Sequence, residues 1–258
     1  KAAGKPVYEL LGGPVKPDIP VYASALHPVG AEKVQAEAKA YVEEGYQAMK
    51  MRFPYGPGHG IAGMRANEEH VANVRDAVGD DIEIMADAYM GWDFLYAKKM
   101  VKRLEPYRLA WLEEAFLPDD LNSYAKLRQE TSIPISGGEH EYTRFGFQQI
   151  IEKQAMDIIQ PDLRRCGGLS EGRRICSLAL ANGITIIPHA YGPTHIHFAL
   201  AETAVPMIEY FPIPSWDDLP DAEVEPIFHD EPQPQNGRVT ASTKPGLGVT
   251  VNERIFAG

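Results

Sequence analysis

Cysteines are scarce in this sequence and long apolar runs are missing, and each shortage excludes a class of protein. Two cysteines among 258 residues, Cys166 and Cys176, are too few for the disulfide framework of a small secreted protein. We expect both thiols to be reduced and Cys176 to lie in the core. No stretch reaches the ~18 consecutive apolar residues of a membrane-spanning helix. With no recognisable signal peptide either, the sequence predicts a cytoplasmic protein without a membrane partner.

Basic residues are also in short supply. The chain has 25 Lys and Arg against 36 Asp and Glu, a formal net charge of −11. An acidic surface of this kind repels nucleic acids and anionic membranes, so neither is expected as a partner. A small anionic substrate stays compatible with the charge, because a bound metal ion and a few Lys or Arg side chains reverse the local field.

Short stretches with strand chemistry alternate with amphipathic helical patterns along the chain. Eight such stretches occur, around VYASA, AMKMRF, IEIMAD, AWLEE, IPISGGE, MDIIQPD, ITIIPH and MIEY. Strands separated by helical patterns of about 10–15 residues are typical of parallel βαβ units. A barrel of such units takes about 250 residues, so we predict a closed (β/α) barrel rather than an open doubly wound sheet.

The flanking segments differ from this repeat. Residues 1–13 resemble the end of a helix followed by a Gly-Gly stop, residues 14–211 hold the barrel pattern, and residues 212–258 form a Pro- and Asp-rich tail. We expect the tail to pack on the barrel or on a domain that precedes it. The glycine-rich stretch 56–63 (GPGHGIAG) lacks the strand-to-helix context of a dinucleotide motif. We expect it to form a mobile loop over the barrel mouth.

Three strand-like stretches end on an acidic residue at even spacing. Asp87, Glu113 and Glu139 follow one another at intervals of 26 residues. In parallel barrels the carboxyl ends of the strands meet at one mouth, so these three carboxylates are expected to converge. An all-oxygen set suits Mg²⁺, whereas zinc would favour His or Cys ligands. The spacing therefore predicts a magnesium site.

Further polar residues occupy the other strand ends: Lys50, Arg52, Asp162, His189 and Glu209. A carboxylate beside an imidazole orients the ring and raises its pKa, so Asp162 and His189, at the ends of neighbouring strands, suit a general base. Taken singly, each residue has a plainer explanation, since an Asp after a strand commonly caps a helix and Glu113-Glu114 could begin a solvated loop. The joint pattern favours a catalytic mouth.

The chain resembles the enolase superfamily over nearly its whole length. The resemblance to the mandelate racemase subgroup is carried by K-x-R at 50–52, Asp87, WLEE at 111–114, GGE at 137–139, PD and GG within 161–168, and IPH at 187–189. The stretches KMRF, AYMGWD, WLEEA and PISGGEHEY are most similar to the L-rhamnonate dehydratase branch of acid-sugar dehydratases.

This resemblance implies a (β/α)7β modified TIM barrel with an N-terminal α+β capping domain that would end near Gly13. It implies a homo-oligomer, often an octamer. It also implies a set of site residues: Mg²⁺ ligands Asp87, Glu113 and Glu139, a catalytic dyad of Asp162 and His189, and Glu209 in contact with the substrate carboxylate or the developing enolate. The sequence departs from the subgroup at Arg52, where a second Lys usually acts as a base, and at Ala115, where Pro is common. A guanidinium stays protonated and is a poor base, but it still binds a carboxylate or hydroxyl.

The function expected from the resemblance is Mg²⁺-dependent dehydration of a sugar acid to a 2-keto-3-deoxy acid. His189 would remove the proton α to the carboxylate, Lys50 and Arg52 would stabilise negative charge, and His27 and His140 are further candidate substrate contacts. A racemase or epimerase, with Lys50 as its second base, is the alternative, followed by a non-catalytic sugar-acid-binding barrel. A metal hydrolase would want His ligands on the first strand, where VYASA offers none. His195 and His197 do not share a helix face, so no joint metal site is expected there.

Overall fold

Eight parallel strands form one curled sheet whose order follows the chain. The computed structural model describes residues 1–212 and 227–256. The strands are β1 (Ile19–Ser24), β2 (Ala48–Arg52), β3 (Glu83–Asp87), β4 (Leu112–Glu113), β5 (Ile135–Gly137), β6 (Ile158–Ile159), β7 (Thr185–Ile186) and β8 (Ile208–Tyr210). Ladders join β1 through β7 in sequence, and β8 pairs with β1. The sheet therefore curls back on itself, and only the β7–β8 seam lacks a ladder among the described residues.

Each of the first seven barrel strands is followed by a helix on the outside of the sheet. The helices are α1 (Val7–Leu10), α2 (Ala31–Glu43), α3 (Gly60–Val78), α4 (Phe94–Leu104), α5 (Leu121–Glu130), α6 (Thr143–Glu152), α7 (Gly168–Ala181) and α8 (Pro193–Ala201). Helices α2 to α8 follow β1 to β7 in order, which confirms the predicted barrel-type α/β fold. None of the helices in residues 1–212 and 227–256 combines the length and apolarity that a membrane crossing requires.

Alternation along the strands separates two apolar layers. Met49 and Met51 of β2 are buried in the large core between sheet and helices, whereas the alternating side chain of Lys50 points to the barrel interior. The floor of that interior is a second cluster formed by Tyr22, Ala48, Met85, Trp111 and Ile187. Polar side chains can therefore occupy only the layer above this floor, towards the carboxyl ends of the strands. Both cysteines are buried free thiols, and Cys176 lies in the core as expected.

The glycine-rich stretch is helical, and the prediction of a loop through Gly63 is wrong. A 3-10 turn spans Pro57–His59, and α3 begins at Gly60. The segment is held to the barrel because the indole of Trp92 and the amide of Asn67 both donate to the carbonyl of Tyr55, each at 2.9 Å. These hydrogen bonds fix the chain just before the turn, and the helix begins within the stretch that was predicted as a loop.

The described part of the tail runs back to the first barrel strand. It contains β9 (Phe228–His229), β10 (Arg238–Val239) and β11 (Thr250–Val251). β10 pairs antiparallel with the start of β1, and β9 pairs with β11. Most of the Pro- and Asp-rich stretch of the expected tail, residues 213–226, lies outside the described residues. The domain boundaries at 13/14 and 211/212 stay predictions.

Candidate active site

The strand ends bring a dense group of charged side chains to one mouth. Register places Arg52 beside Asp87 and Asp87 beside Glu113 on three adjacent strands. Glu209 of β8 lies in register with Tyr22 of β1, which closes the group from the other side. Parallel pairing therefore sets Asp87 directly beside Glu113, whereas Glu113 pairs with Ser136 and Glu139 follows further along the chain.

Lys50 is the cation at the centre of this group. Its side chain is 0% exposed, and its Nζ contacts Glu113 Oε1 and lies 2.9 Å from Glu209 Oε1. The ring of Tyr22 lies 5.6 Å away on the floor side. Charges this deeply buried are tolerated only in pairs, so the ammonium and the two carboxylates depend on one another.

Glu113 is held on its second oxygen by two neutral donors. Trp111 Nε1 donates to Glu113 Oε2 at 2.9 Å, and Gln160 Nε2 donates to the same oxygen at 2.8 Å. Neither donor was found by sequence reasoning. The signal was present, because Trp111 stands two residues before Glu113 on one strand, and Gln160 stands two residues after the inward-facing Ile158.

Asp87 has a similar arrangement at the end of β3. The backbone N–H of Tyr89 donates to its Oδ1 at 2.7 Å, and Arg52 forms an ion pair with its Oδ2. Arg52 also donates to Ser24 Oγ at 3.3 Å. The residue that departs from the subgroup pattern therefore binds a carboxylate, which is the role left to a guanidinium.

Glu139 completes the expected set of three carboxylates and also contacts cationic or ionisable partners. Arg165 Nη1 lies 3.2 Å from its Oε1, and His189 Nδ1 lies 3.1 Å from its Oε2. Each of the three carboxylates thus has at least one oxygen turned towards a basic side chain.

His189 stands between two carboxylates. Its Nδ1 is 2.9 Å from Glu209 Oε2 and 3.1 Å from Glu139 Oε2. Burial lowers the pKa of His189, but the hydrogen bond and charge of Glu209 and the charge of Glu139 outweigh it, and the net shift is upward. Burial conversely opposes ionisation of Glu209, yet Lys50 and His189 hold its pKa well below the usual range. The Ala190 N–H adds a hydrogen bond to Glu209 Oε2 at 2.8 Å.

Asp162 is engaged by other partners than the predicted one. It accepts from the backbone N–H of Arg164 at 2.8 Å and lies 3.6 Å from both Arg165 Nε and His195 Nε2. Burial alone would raise the pKa of Asp162. The hydrogen bonds from His195 and Arg164, together with the positive charge of Arg164, outweigh burial, and the net shift is downward. An Asp162–His189 contact is not formed between these two described residues, so the dyad stays a prediction.

Glu114 and His140 form a second carboxylate–imidazole pair beside the first group. His140 Nδ1 lies 2.9 Å from Glu114 Oε1, and His140 Nε2 lies 3.8 Å from Glu139 Oε1. Glu114 is only 2% exposed, so the explanation of Glu113-Glu114 as a solvated loop start is wrong. Burial, with the charges of Glu139 and Glu113, raises the pKa of Glu114 to about 8.

The remaining histidines lie further out. His27 lies three residues after β1, and its ring is partly shielded although the residue as a whole is exposed; this partial burial, together with the charge of Arg52, lowers its pKa. His197 takes part in packing, because its Nδ1 accepts from the Tyr8 N–H at 3.2 Å and its Nε2 lies 3.2 Å from the Leu247 carbonyl oxygen. Those contacts leave neither nitrogen free for a metal shared with His195.

The donor chemistry of the mouth fits a divalent cation with a preference for oxygen. Asp87, Glu113 and Glu139 supply carboxylates from three adjacent strands, and Mg²⁺ is bound in proteins by such oxygens with positions left for substrate. Two groups bring three possible ligand atoms within 4.8 Å of one another, Glu113-His189-Glu209 and Glu114-Glu139-His140, and the predicted trio is not among them in the described residues. Arg52, Lys50 and His189 hold the three carboxylates in this arrangement.

The fold and site define a parallel (β/α) barrel with a carboxylate-lined mouth. Residues 33–255 match the family model described as enolase C-terminal domain-like, and the chain belongs to this family. It is 36% identical over 262 residues to an L-rhamnonate dehydratase from Saccharopolyspora erythraea, a match that covers 99% of this chain and 63% of that protein. The chain therefore spans less than two thirds of that relative's length.

Two solved structures extend the comparison. The L-rhamnonate dehydratase from Gibberella zeae is 33% identical with a TM-score of 0.84, over 99% of this chain and 64% of that one. A racemase from Streptomyces coelicolor with bound magnesium is 25% identical with a TM-score of 0.85, over 99% of this chain and 67% of that one. The same barrel thus occurs in proteins described by two different reactions.

Proposed function

We propose that this chain carries the barrel of an Mg²⁺-dependent dehydratase that acts on a sugar acid, with L-rhamnonate and related aldonates as the first candidates. One observation carries the proposal: a nearly buried histidine, His189, lies between Glu139 and Glu209 at the mouth that also holds Asp87 and Glu113. The 36% identity to a relative described as L-rhamnonate dehydratase supports the substrate class.

Asp87, Glu113 and Glu139 would hold Mg²⁺, which supplies Lewis acidity towards the substrate carboxylate. His189 takes the proton α to that carboxylate. With Nδ1 turned to Glu139 and Glu209, Nε2 is the nitrogen left to face substrate. The electron pair of the broken C–H bond forms the C=C bond of an enol and expels the β-hydroxyl, which takes up the proton held by His189 and leaves as water. The enol then becomes a 2-keto-3-deoxy acid. Arg52 at the rim of the mouth and Lys50 deeper in the barrel would stabilise the negative charge that develops on the substrate.

The test is His189→Asn in an assay of 2-keto acid formation from a panel of aldonates. Loss of a general base costs on the order of 10²–10⁴-fold in rate, and we expect a loss in this range with Mg²⁺ binding retained. His229→Asn, which changes an exposed histidine on β9, is the matched control and should react like the parent. Unchanged turnover in His189→Asn would sink the assignment. Asp162→Asn in the same assay tests whether the predicted dyad contributes.

A racemase or epimerase is the second candidate, because one structural relative is described as a racemase. That reaction needs bases on both faces of the α-carbon. Lys50 is fully buried in ion pairs with Glu113 and Glu209, and Arg52 is a poor base, so the second base is missing from β2. Exchange of the α-proton with deuterated water in the absence of dehydration would favour this candidate. Binding of aldonates without exchange or turnover would favour a non-catalytic barrel.

A cytoplasmic location and a homo-oligomer, up to an octamer, stay predictions.

A further inference from the structure

The two oxygens of Glu113 have different environments. Oε2 accepts from Trp111 Nε1 at 2.9 Å and from Gln160 Nε2 at 2.8 Å, whereas Oε1 contacts only the Lys50 ammonium among the described residues. A carboxylate oxygen has two lone pairs, so two donors occupy Oε2 fully. A cation that binds Glu113 would therefore meet it at Oε1, the oxygen that shares the Lys50 ammonium with Glu209.

The amide of Gln160 has only one chemically sensible orientation. Rotating it by 180° would place its own oxygen against the Glu113 carboxylate, so Nε2 must face Glu113. The side chain is 1% exposed, and its Oε1 is buried without a hydrogen-bond partner. Gln160 Nε2 thus donates to Glu113 even though Gln160 Oε1 is left without a donor. The position of this side chain therefore serves the Glu113 carboxylate rather than the hydrogen bonding of the Gln160 amide itself.

Trp111 is equally constrained. Its indole N–H is only a donor, and its ring forms part of the barrel floor, edge-on to Tyr22 at 5.5 Å. The ring cannot turn away from Glu113 without breaking this packing. Since Trp111 and Glu113 are two residues apart on one strand, they share the inward face, and the donor and acceptor keep a fixed relation.

We infer that Trp111 and Gln160 are positioning residues that bind Glu113 Oε2, leave Oε1 as the one oxygen presented to a divalent cation, and thereby set the affinity for Mg²⁺. This rests on the proposed function in taking Glu113 as an Mg²⁺ ligand. Partners that orient a ligating side chain typically change metal affinity 10–100-fold when they are removed.

The experiment measures Mg²⁺ affinity of the protein by calorimetric titration, with Mg²⁺ alone as the probe. Gln160→Met and Trp111→Phe remove one donor each and keep most of the volume. We expect each to raise the Mg²⁺ Kd about 10-fold, and the double variant to raise it further. Gln148→Met is the matched control, because Gln148 Nε2 also donates to a glutamate, Glu152 Oε1 at 2.6 Å, but on the surface of α6. It should bind Mg²⁺ like the parent.

The outcomes separate positioning from general support of the fold. Melting temperatures in EDTA report loss of packing, and the Mg²⁺ Kd reports presentation of Glu113. A lower melting temperature with an unchanged Kd in both variants would overturn the inference, as would a Glu113→Gln variant that binds Mg²⁺ like the parent. Failure of every aldonate to react, with the expected Kd changes intact, would refute the proposed function and leave this inference standing.

Discussion

Replacing Lys50 by Met should strongly destabilise the metal-free protein. The ammonium is fully buried and is the shared partner of Glu113 and Glu209. Removing one partner of a buried ion pair costs about 3–5 kcal/mol, because the opposite charge stays desolvated. For a protein of this size 1 kcal/mol corresponds to roughly 2–4 °C, so the melting temperature should fall by about 6–20 °C.

The assay is thermal unfolding followed by circular dichroism in EDTA, with Lys98→Met as the control. Lys98 pairs with Glu130 at 2.7 Å, but both side chains are more than a third exposed. Exposed pairs contribute about 0.2–1 kcal/mol, so the control should lose at most ~4 °C. The reasoning fails if Lys50→Met melts within the range of the control.

A double-mutant cycle shows whether the carboxylate left behind is the cause. Glu209→Gln removes one of the two charges that Lys50 compensates, although it also gives up contacts to His189 and Ala190. In the Lys50→Met background this loss should be partly offset. The loss in free energy of unfolding of the double variant should therefore be smaller than the sum of the two single losses by about 0.5–3 kcal/mol. Strict additivity would mean that Lys50 acts through packing alone.

Two further predictions concern acid stability and the tail. Burial lowers the pKa of His70, whose Nε2 lies 3.0 Å from the Leu26 carbonyl oxygen. Below the pKa of about 6.5 that His70 has in the unfolded chain, the unfolded chain binds more protons than the folded one, so the free energy of unfolding decreases as the pH falls. In urea titrations, His70→Asn should therefore lose less free energy of unfolding than the parent between neutral and acidic pH; an equal or larger loss would contradict this. Gly237 has a φ of +66°, and a Cβ there would meet the Gly45 carbonyl oxygen at 2.4 Å. Gly237→Ala should cost about 1–3 kcal/mol in urea unfolding, and more than Gly79→Ala, which has a φ of +74° but no neighbour within 4 Å; equal costs would contradict the clash.

The position of the site could be predicted from the sequence because it depends on regular features. Strand alternation places Lys50 inward, and parallel pairing in register brings Asp87 next to Glu113. Both rules act on the backbone, and neither requires knowledge of any side-chain conformation. The helix after β3 is likewise fixed locally, because Asp93 caps α4 by accepting from the Tyr96 N–H at 2.8 Å.

The partners within the site could not be predicted, because they depend on which of several nearby charges each side chain reaches. Asp162 and His189 follow neighbouring strands, but the Arg164 backbone N–H binds Asp162 locally, whereas Glu209 reaches His189 from the other side, across the β7–β8 seam. Sequence spacing gives the strand on which a residue lies and not the rotamer that it adopts. The stretch 56–63 was predicted as a loop for a related reason, because the contacts that hold Tyr55 in front of it come from Asn67 within α3 and from Trp92 beyond β3.

The charges of the mouth suggest why this barrel folds with so many buried acids. Asp87 is held by Arg52, Glu113 by Lys50, and Glu139 by Arg165 and His189, so each carboxylate is compensated within the chain. On Asp87 and Glu113, neutral donors bind one oxygen and the cation binds the other. Because the two roles are divided between two oxygens, a divalent cation could replace the basic side chains without disturbing the donors that orient the carboxylates. Folding and metal binding would then depend on different partners of the same residues, which is why Lys50→Met should lower metal-free stability whereas Gln160→Met should weaken Mg²⁺ binding.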